Sequence, residues 1–278
     1  ITPLQNIIAN STATTTFNAV NSASVTTNTG GTTQLNANVT TTGSQTYNDA
    51  VTIANNPILT GNGITFNSTL DGNSDLTANT GASNLSFNGA IGNNTALQNI
   101  TANSTATTTF NSINAATLTT NADGTTQLNS NVTTTGAQTY NDAVSIANNP
   151  ILTGNGITFN STLDGNSDIT AIAGASNLSF NGAIGSNTAL GNIIANTTGV
   201  TTFNSVNSAT LTTNAGGTTQ LNSNVTTTGA QTYNDAVTLA NNPTLTGNGI
   251  TFNSTLDGNS DLTANAGASN LSFNGAVG

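Results

Sequence analysis

The chain has 278 residues and contains no Lys, Arg, His, Cys, Met, Trp or Glu; its ten acidic residues are all Asp, so the net charge is −10. Without a cation it cannot neutralise nucleic-acid phosphates, and an anionic membrane surface does not attract it. No apolar run approaches the 18 residues of a membrane helix, and no thiol is present to build a disulfide framework.

The same absences bear on chemistry. With no His, Lys, Cys or Glu there is little to serve as base, nucleophile or electrophile, so the chain does not read as an enzyme. No organic cofactor is expected. Polar low-complexity composition often signals disorder, but here apolar residues recur in a fixed order and β-branched residues are abundant.

That order is a tandem repeat of 93 residues: copies at 1–93, 94–186 and 187–278, the last one residue short. Since the chain begins inside a repeat, it reads as a fragment of something longer. Each copy has a shorter beat, a bulky apolar residue followed by Asn. In the first copy these pairs are Phe17-Asn18, Leu35-Asn36, Tyr47-Asn48, Phe66-Asn67 and Phe87-Asn88. The second copy has Phe110-Asn111, Leu128-Asn129, Tyr140-Asn141, Phe159-Asn160 and Phe180-Asn181. The third has Phe203-Asn204, Leu221-Asn222, Tyr233-Asn234, Phe252-Asn253 and Phe273-Asn274. The intervals of 18, 12, 19, 21 and 23 residues average close to 19.

Period-2 alternation leads into these points, as at residues 51–53 (Val-Thr-Ile), 64–66 (Ile-Thr-Phe) and 85–87 (Leu-Ser-Phe), and predicts short strands with one buried face. Turn chemistry separates them at residues 28–31 (Asn-Thr-Gly-Gly), 55–57 (Asn-Asn-Pro), 61–63 (Gly-Asn-Gly), 71–72 (Asp-Gly) and 88–89 (Asn-Gly). Helix signals are nearly absent. A coil near 19 residues with tight corners is one rung of a parallel β-solenoid, an all-β fold, with about five coils per repeat and a rise of roughly 24 Å per repeat. The bulky residues are expected to stack as a core. The Asn that follows each is expected to turn inward and form an amide ladder. The 12-residue interval is too short for a rung, so either Leu35 stacks out of phase or the repeat holds four large turns and a partial one. A string of immunoglobulin-like sandwiches also fits a 93-residue unit, but the missing Trp and Cys and the beat near 19 argue against it.

The sites worth testing are few. Asp71/Asp75 and their copies Asp164/Asp168 and Asp257/Asp261 are candidate Ca²⁺ ligands or a carboxylate pair, against a plain reading as solvated Asp-Gly turns. On that plain reading, replacing Asp71 changes little. Asp123 replaces the Gly of Gly30 and Gly216 in a turn. Thr runs at 14–16 and 40–42 suggest exposed hydroxyl ladders, and many Asn-x-Ser/Thr triplets are formal glycosylation sites.

Residues 216–222 (Gly-Gly-Thr-Thr-Gln-Leu-Asn) and 225–237 (Val-Thr-Thr-Thr-Gly-Ala-Gln-Thr-Tyr-Asn-Asp-Ala-Val) resemble the repeats of large bacterial surface proteins, the filamentous-haemagglutinin-like and autotransporter-type adhesins. The resemblance implies a right-handed parallel β-helix, exported through an outer-membrane pore and displayed outside the cell as a fibre. The expected role is then mechanical, the shaft of a secreted or cell-surface fibre in adhesion, cell–cell contact or matrix. Alternatives are a subunit of a self-assembling filament, whose partner is its own kind end to end, and a carbohydrate-binding module for host or neighbouring-cell glycans. Nucleic acid and membrane insertion are not expected.

Overall fold

Runs that alternate a β-branched or aromatic residue with a small polar one form strands. The computed structural model describes residues 2–278, and no helix occurs among the described residues. Strand Gln45–Tyr47 buries Gln45 and Tyr47 and leaves Thr46 half exposed, and Ile64–Phe66 buries Ile64 and Phe66 in the same way. The corners follow from backbone chemistry. Asn55 and Asn56 both take positive φ, 60° and 54°, and Asn148/Asn149 and Asn241/Asn242 repeat the pair. Asn visits this region more readily than most side chains, so the Asn-Asn-Pro corner recurs in every copy. Asp123 holds φ 76° where Gly30 and Gly216 hold 94° and 106°.

The chain falls into two compact units, one running to Thr135 with Tyr140–Asp142, the other Gly136–Thr139 with Ala143–Gly278. Each is a parallel β-solenoid. In the first unit, Thr32–Leu35, Val39–Thr41 and Gln45–Tyr47 make one coil of three strands, and the next strand, Ala50–Ile53, pairs back onto Thr32–Leu35. Consecutive rungs are as close in sequence as Thr15 and Thr33 and as far apart as Leu76 and Ile100. The extra length of the long coils is taken up at the corners. The Asn-Gly at 88–89, read above as a turn, instead lies inside strand Leu85–Ile91, where the register slips between Phe87 and Ala90. Gly89 is there because a Cβ would sit 2.2 Å from the Ser68 carbonyl oxygen of the rung beneath.

The strand pairing fixes how a repeat winds. One face of the first unit runs Thr15, Thr33, Val51, Leu70, Ile91, Ile113. A second runs Val25, Gln45, Ile64, Leu85, Thr108. Thr108 is the copy of Thr15 yet lies on the face of Val25, while Ile113, the copy of Val20, lies on the face of Thr15. A repeat therefore spans four coils and two of the three faces of a fifth, rather than five coils. The second unit behaves identically. Ile157 is on the face of Leu178, Thr201, Thr219, Val237 and Leu256, whereas its copy Ile250 is on the preceding face with Leu211 and Gln231. Three such repeats amount to about 14 coils.

This winding accounts for the short interval between Leu35 and Tyr47. Phe17, Leu35 and Ile53 stack on one face. Tyr47 opens a ladder on another, continuing through Phe66 and Phe87 and then Phe110 and Leu128 of the next copy. Ring centroids from Tyr47 to Phe110 are 5.0, 5.1 and 5.1 Å apart with the planes within 18° of parallel. In the second unit Phe159, Phe180 and Phe203 stack at 5.1 and 5.2 Å. These two ladders are thus shared between copies, which couples a repeat to its successor through the core.

Candidate functional site

The most unusual chemistry lies inside the coils, where each aromatic ladder begins. The alternation that buries Tyr47 and Val51 also buries Asp49, which is 3% exposed, and Asp142 and Asp235 are 2% and 3% exposed in the other copies. Thr27 Oγ1 donates to Asp49 Oδ1 at 2.6 Å, and Thr33 Oγ1 donates to Oδ1 and Oδ2 at 2.9 and 3.0 Å. Thr120 and Thr126 hold Asp142 the same way, at 2.6 Å and 2.9–3.0 Å. Thr213 and Thr219 hold Asp235 at 2.7 Å and 2.9–3.0 Å. Beside the first cluster, Tyr47 Oη donates to Gln45 Oε1 at 3.0 Å, and Gln45 Nε2 donates to the Thr60 carbonyl at 2.9 Å. A buried polar group is tolerable when it is bonded, and these are. Burial pushes the Tyr47, Tyr140 and Tyr233 phenols up. Burial also raises the carboxyls of Asp142 and Asp235, with the Thr hydroxyls acting in the opposite sense.

These clusters were not foreseen from the sequence, in which Asp49, Asp142 and Asp235 were given no role. The signal was present: Tyr47, Asp49 and Val51 share one phase of the period-2 pattern.

The Asn residues after the bulky positions lie elsewhere than predicted. Asn18, Asn67, Asn88, Asn160, Asn181, Asn253 and Asn274 are exposed, and Asn36, Asn48, Asn111, Asn129, Asn141, Asn204, Asn222 and Asn234 are half-buried, so none turns into the core. One step past an inward ring, the strand alternation points the next side chain out. The amides still form ladders along the surface. Asn67 Nδ2 donates to Asn48 Oδ1 at 2.7 Å and Asn88 Nδ2 to Asn67 Oδ1 at 2.8 Å. In the last copy Asn253 bonds Asn234 and Asn274 bonds Asn253, both at 2.7 Å. Thr runs contribute less regularly: Thr14 and Thr32 hydroxyls meet at 3.0 Å, while Thr41 is buried between exposed Thr40 and Thr42.

The candidate Ca²⁺ ligands are engaged as loop acceptors. Asp71 is 9% exposed, and its carboxylate takes the Asn94 and Thr95 backbone N–H at 2.8 and 3.1 Å. Asp164 takes those of Asn187 and Thr188 at the same distances. Asp75 accepts from Asn99 N and Nδ2 at 3.0 and 2.8 Å, and Asp168 from Asn192 N and Nδ2 at 2.7 and 3.1 Å. Asp257 and Asp261 are exposed in the last copy. No group of three or more acidic side chains suited to a metal occurs among the described residues. Asp71 is thus a buried anchor rather than a solvated turn, because the long coil through residues 92–96 needs an acceptor for its free N–H groups. Asp71→Ala is expected to cost about 1–3 kcal/mol, confined to that loop. Hydrogen exchange at Asn94 and Thr95 measures it, and unchanged protection would refute the anchoring role.

Comparison with protein-family models, with curated proteins and with solved structures gave no match.

Proposed function

We propose that the chain is the structural shaft of a secreted or cell-surface fibre of the bacterial adhesin kind, a rod segment whose job is reach and stiffness. The observation that carries this reading is the aromatic ladder running from one copy into the next, as Phe87 of the first copy stacks on Phe110 of the second at 5.1 Å. A core of that form is extended by adding repeats, whereas a globular core is closed. The tyrosines are buried, and among the phenylalanines only Phe17 and Phe273 are not. Flat aromatic platforms for sugar rings are therefore scarce, which weighs against the carbohydrate-binding alternative. The uncompensated charge of −10 keeps neighbouring shafts apart.

Chains of one, two and three copies, each held between a surface tether and a probe, test the role. Reach is expected to grow linearly, by about 22 Å per copy at roughly 4.8 Å per rung. Growth with the square root of copy number, the behaviour of a flexible linker, would sink the reading. Antibody labelling of intact producing cells tests the location, and signal only after lysis contradicts it.

A further inference from the structure

We propose that the Asp142 and Asp235 clusters are proton-binding sites, which take up a proton in the folded solenoid and make it more stable in mild acid than at neutral pH. The first observation is a buried anion with no counter-charge. Each carboxylate is at most 3% exposed, and the chain has no Lys, Arg or His to pair with it. Two hydroxyl donors compensate only part of the cost of burying a charge.

The second observation is independent. Thr108 and Thr201 carry buried hydroxyl oxygens without a hydrogen-bond partner. Thr108 pairs in register with Thr126, and Thr201 with Thr219, the residues that hold the two carboxylates. A protonated Asp142 can donate its O–H to Thr126 Oγ1. The Thr126 hydroxyl hydrogen, released from the carboxylate, can then turn to Thr108 one rung away. One proton from solvent thus removes the buried charge and gives the orphan oxygen a partner. In the first copy the residue corresponding to Thr108 is Thr15, which is half-buried and open to water.

Few other ionisable groups face the sites. Near Asp142 are Tyr140, two residues before it, and the turn of Asp123 and Gly124; a Cβ on Gly124 would lie 3.4 Å from Asp142 Oδ2. Near Asp235 the ionisable neighbour in sequence is Tyr233, and the corresponding turn is Gly216-Gly217. Burial raises both carboxyls above the ordinary carboxylate range. The folded state therefore holds the proton at pH values where the unfolded chain has lost it. Stability rises as pH falls through the window from the raised value to the ordinary one. It is retained below that window and lost as pH climbs back through it.

The test is thermal unfolding of the whole chain between pH 4 and pH 8 for the native protein and for Asp142→Asn, Asp235→Asn and Asp261→Asn. The melting temperature of the native chain should rise as pH falls. Each cluster variant should melt about 2–4 °C higher at pH 7 and show a flatter pH profile. Asp261→Asn, which removes one exposed charge, should do neither. Cluster variants that melt lower at pH 7 with an undiminished pH slope would overturn the proposal. So would a pH 7 melting temperature that depends on whether sodium, potassium or choline supplies the ionic strength, since a metal ion would then be the occupant. Carboxyl carbon NMR of the unmodified chain gives a reading that needs no variant. The Asp142 and Asp235 carboxyls should titrate above the ordinary carboxylate range, and ordinary titration of both would overturn the assignment.

Discussion

Truncating Phe66 to Ala is expected to destabilise the first unit by about 3–5 kcal/mol, the upper range for removing a buried ring. Phe66 is 1% exposed and lies between Tyr47 and Phe87 at 5.0 and 5.1 Å. The cavity cannot collapse, because the rungs on either side are held by backbone bonds such as Asn67 N to Tyr47 O at 2.8 Å. The neighbouring rings would therefore each lose a stacked face and keep their positions. Phe273, 41% exposed, provides the contrast, and its truncation should cost about 1 kcal/mol or less. Urea unfolding of each variant measures both. A Phe66 loss no larger than that of Phe273 would show that the ladder is not the stabilising core.

Gly92→Ala should be as damaging for a different reason. Gly92 holds φ +69°, and a Cβ there would lie 2.0 Å from the Asn114 carbonyl oxygen, a backbone atom of the rung above. That rung cannot yield, since Asn114 Nδ2 also donates back to the Gly92 carbonyl at 3.1 Å. Left-handed strain and the overpacking together should cost about 3 kcal/mol or more. Gly81 supplies the control: its φ is +58°, but nothing lies within 4 Å of its Cβ direction. Gly81→Ala should therefore cost only the conformational term, about 1–2 kcal/mol. Equal losses at the two positions would mean that the close approach at Gly92 contributes nothing.

Both predictions rest on contacts between rungs, and these mark how far the sequence can be read. The strands at 51–53, 64–66 and 85–87 were legible because period-2 alternation is a local property. The Asn-Asn-Pro corner was legible because its φ values are set by the residues themselves. The side taken by Asn67 was misread. A recurring Asn is compatible with an inner or an outer ladder, and only its phase relative to Phe66 selects the outer one. Asp71 was misread because its donors, Asn94 and Thr95, lie a full coil away in sequence.

Local pattern was enough to specify the parallel all-β solenoid. A chain without cations, with a 93-residue repeat, a beat near 19 and turn residues between alternating strands, has few other ways to bury its Val, Leu, Ile and Phe. The placing of successive copies within a unit came instead from pairing between distant strands. Corner lengths add up over several coils, and the sum leaves Thr108 one face away from where a whole number of coils would put it. That offset depends on which residue each strand pairs with in the rung beneath, and such pairing is made by backbone hydrogen bonds across some 20 residues. The same closure brings Thr120 and Thr126 onto Asp142, placing a negative charge inside a chain that has no positive one to offer it.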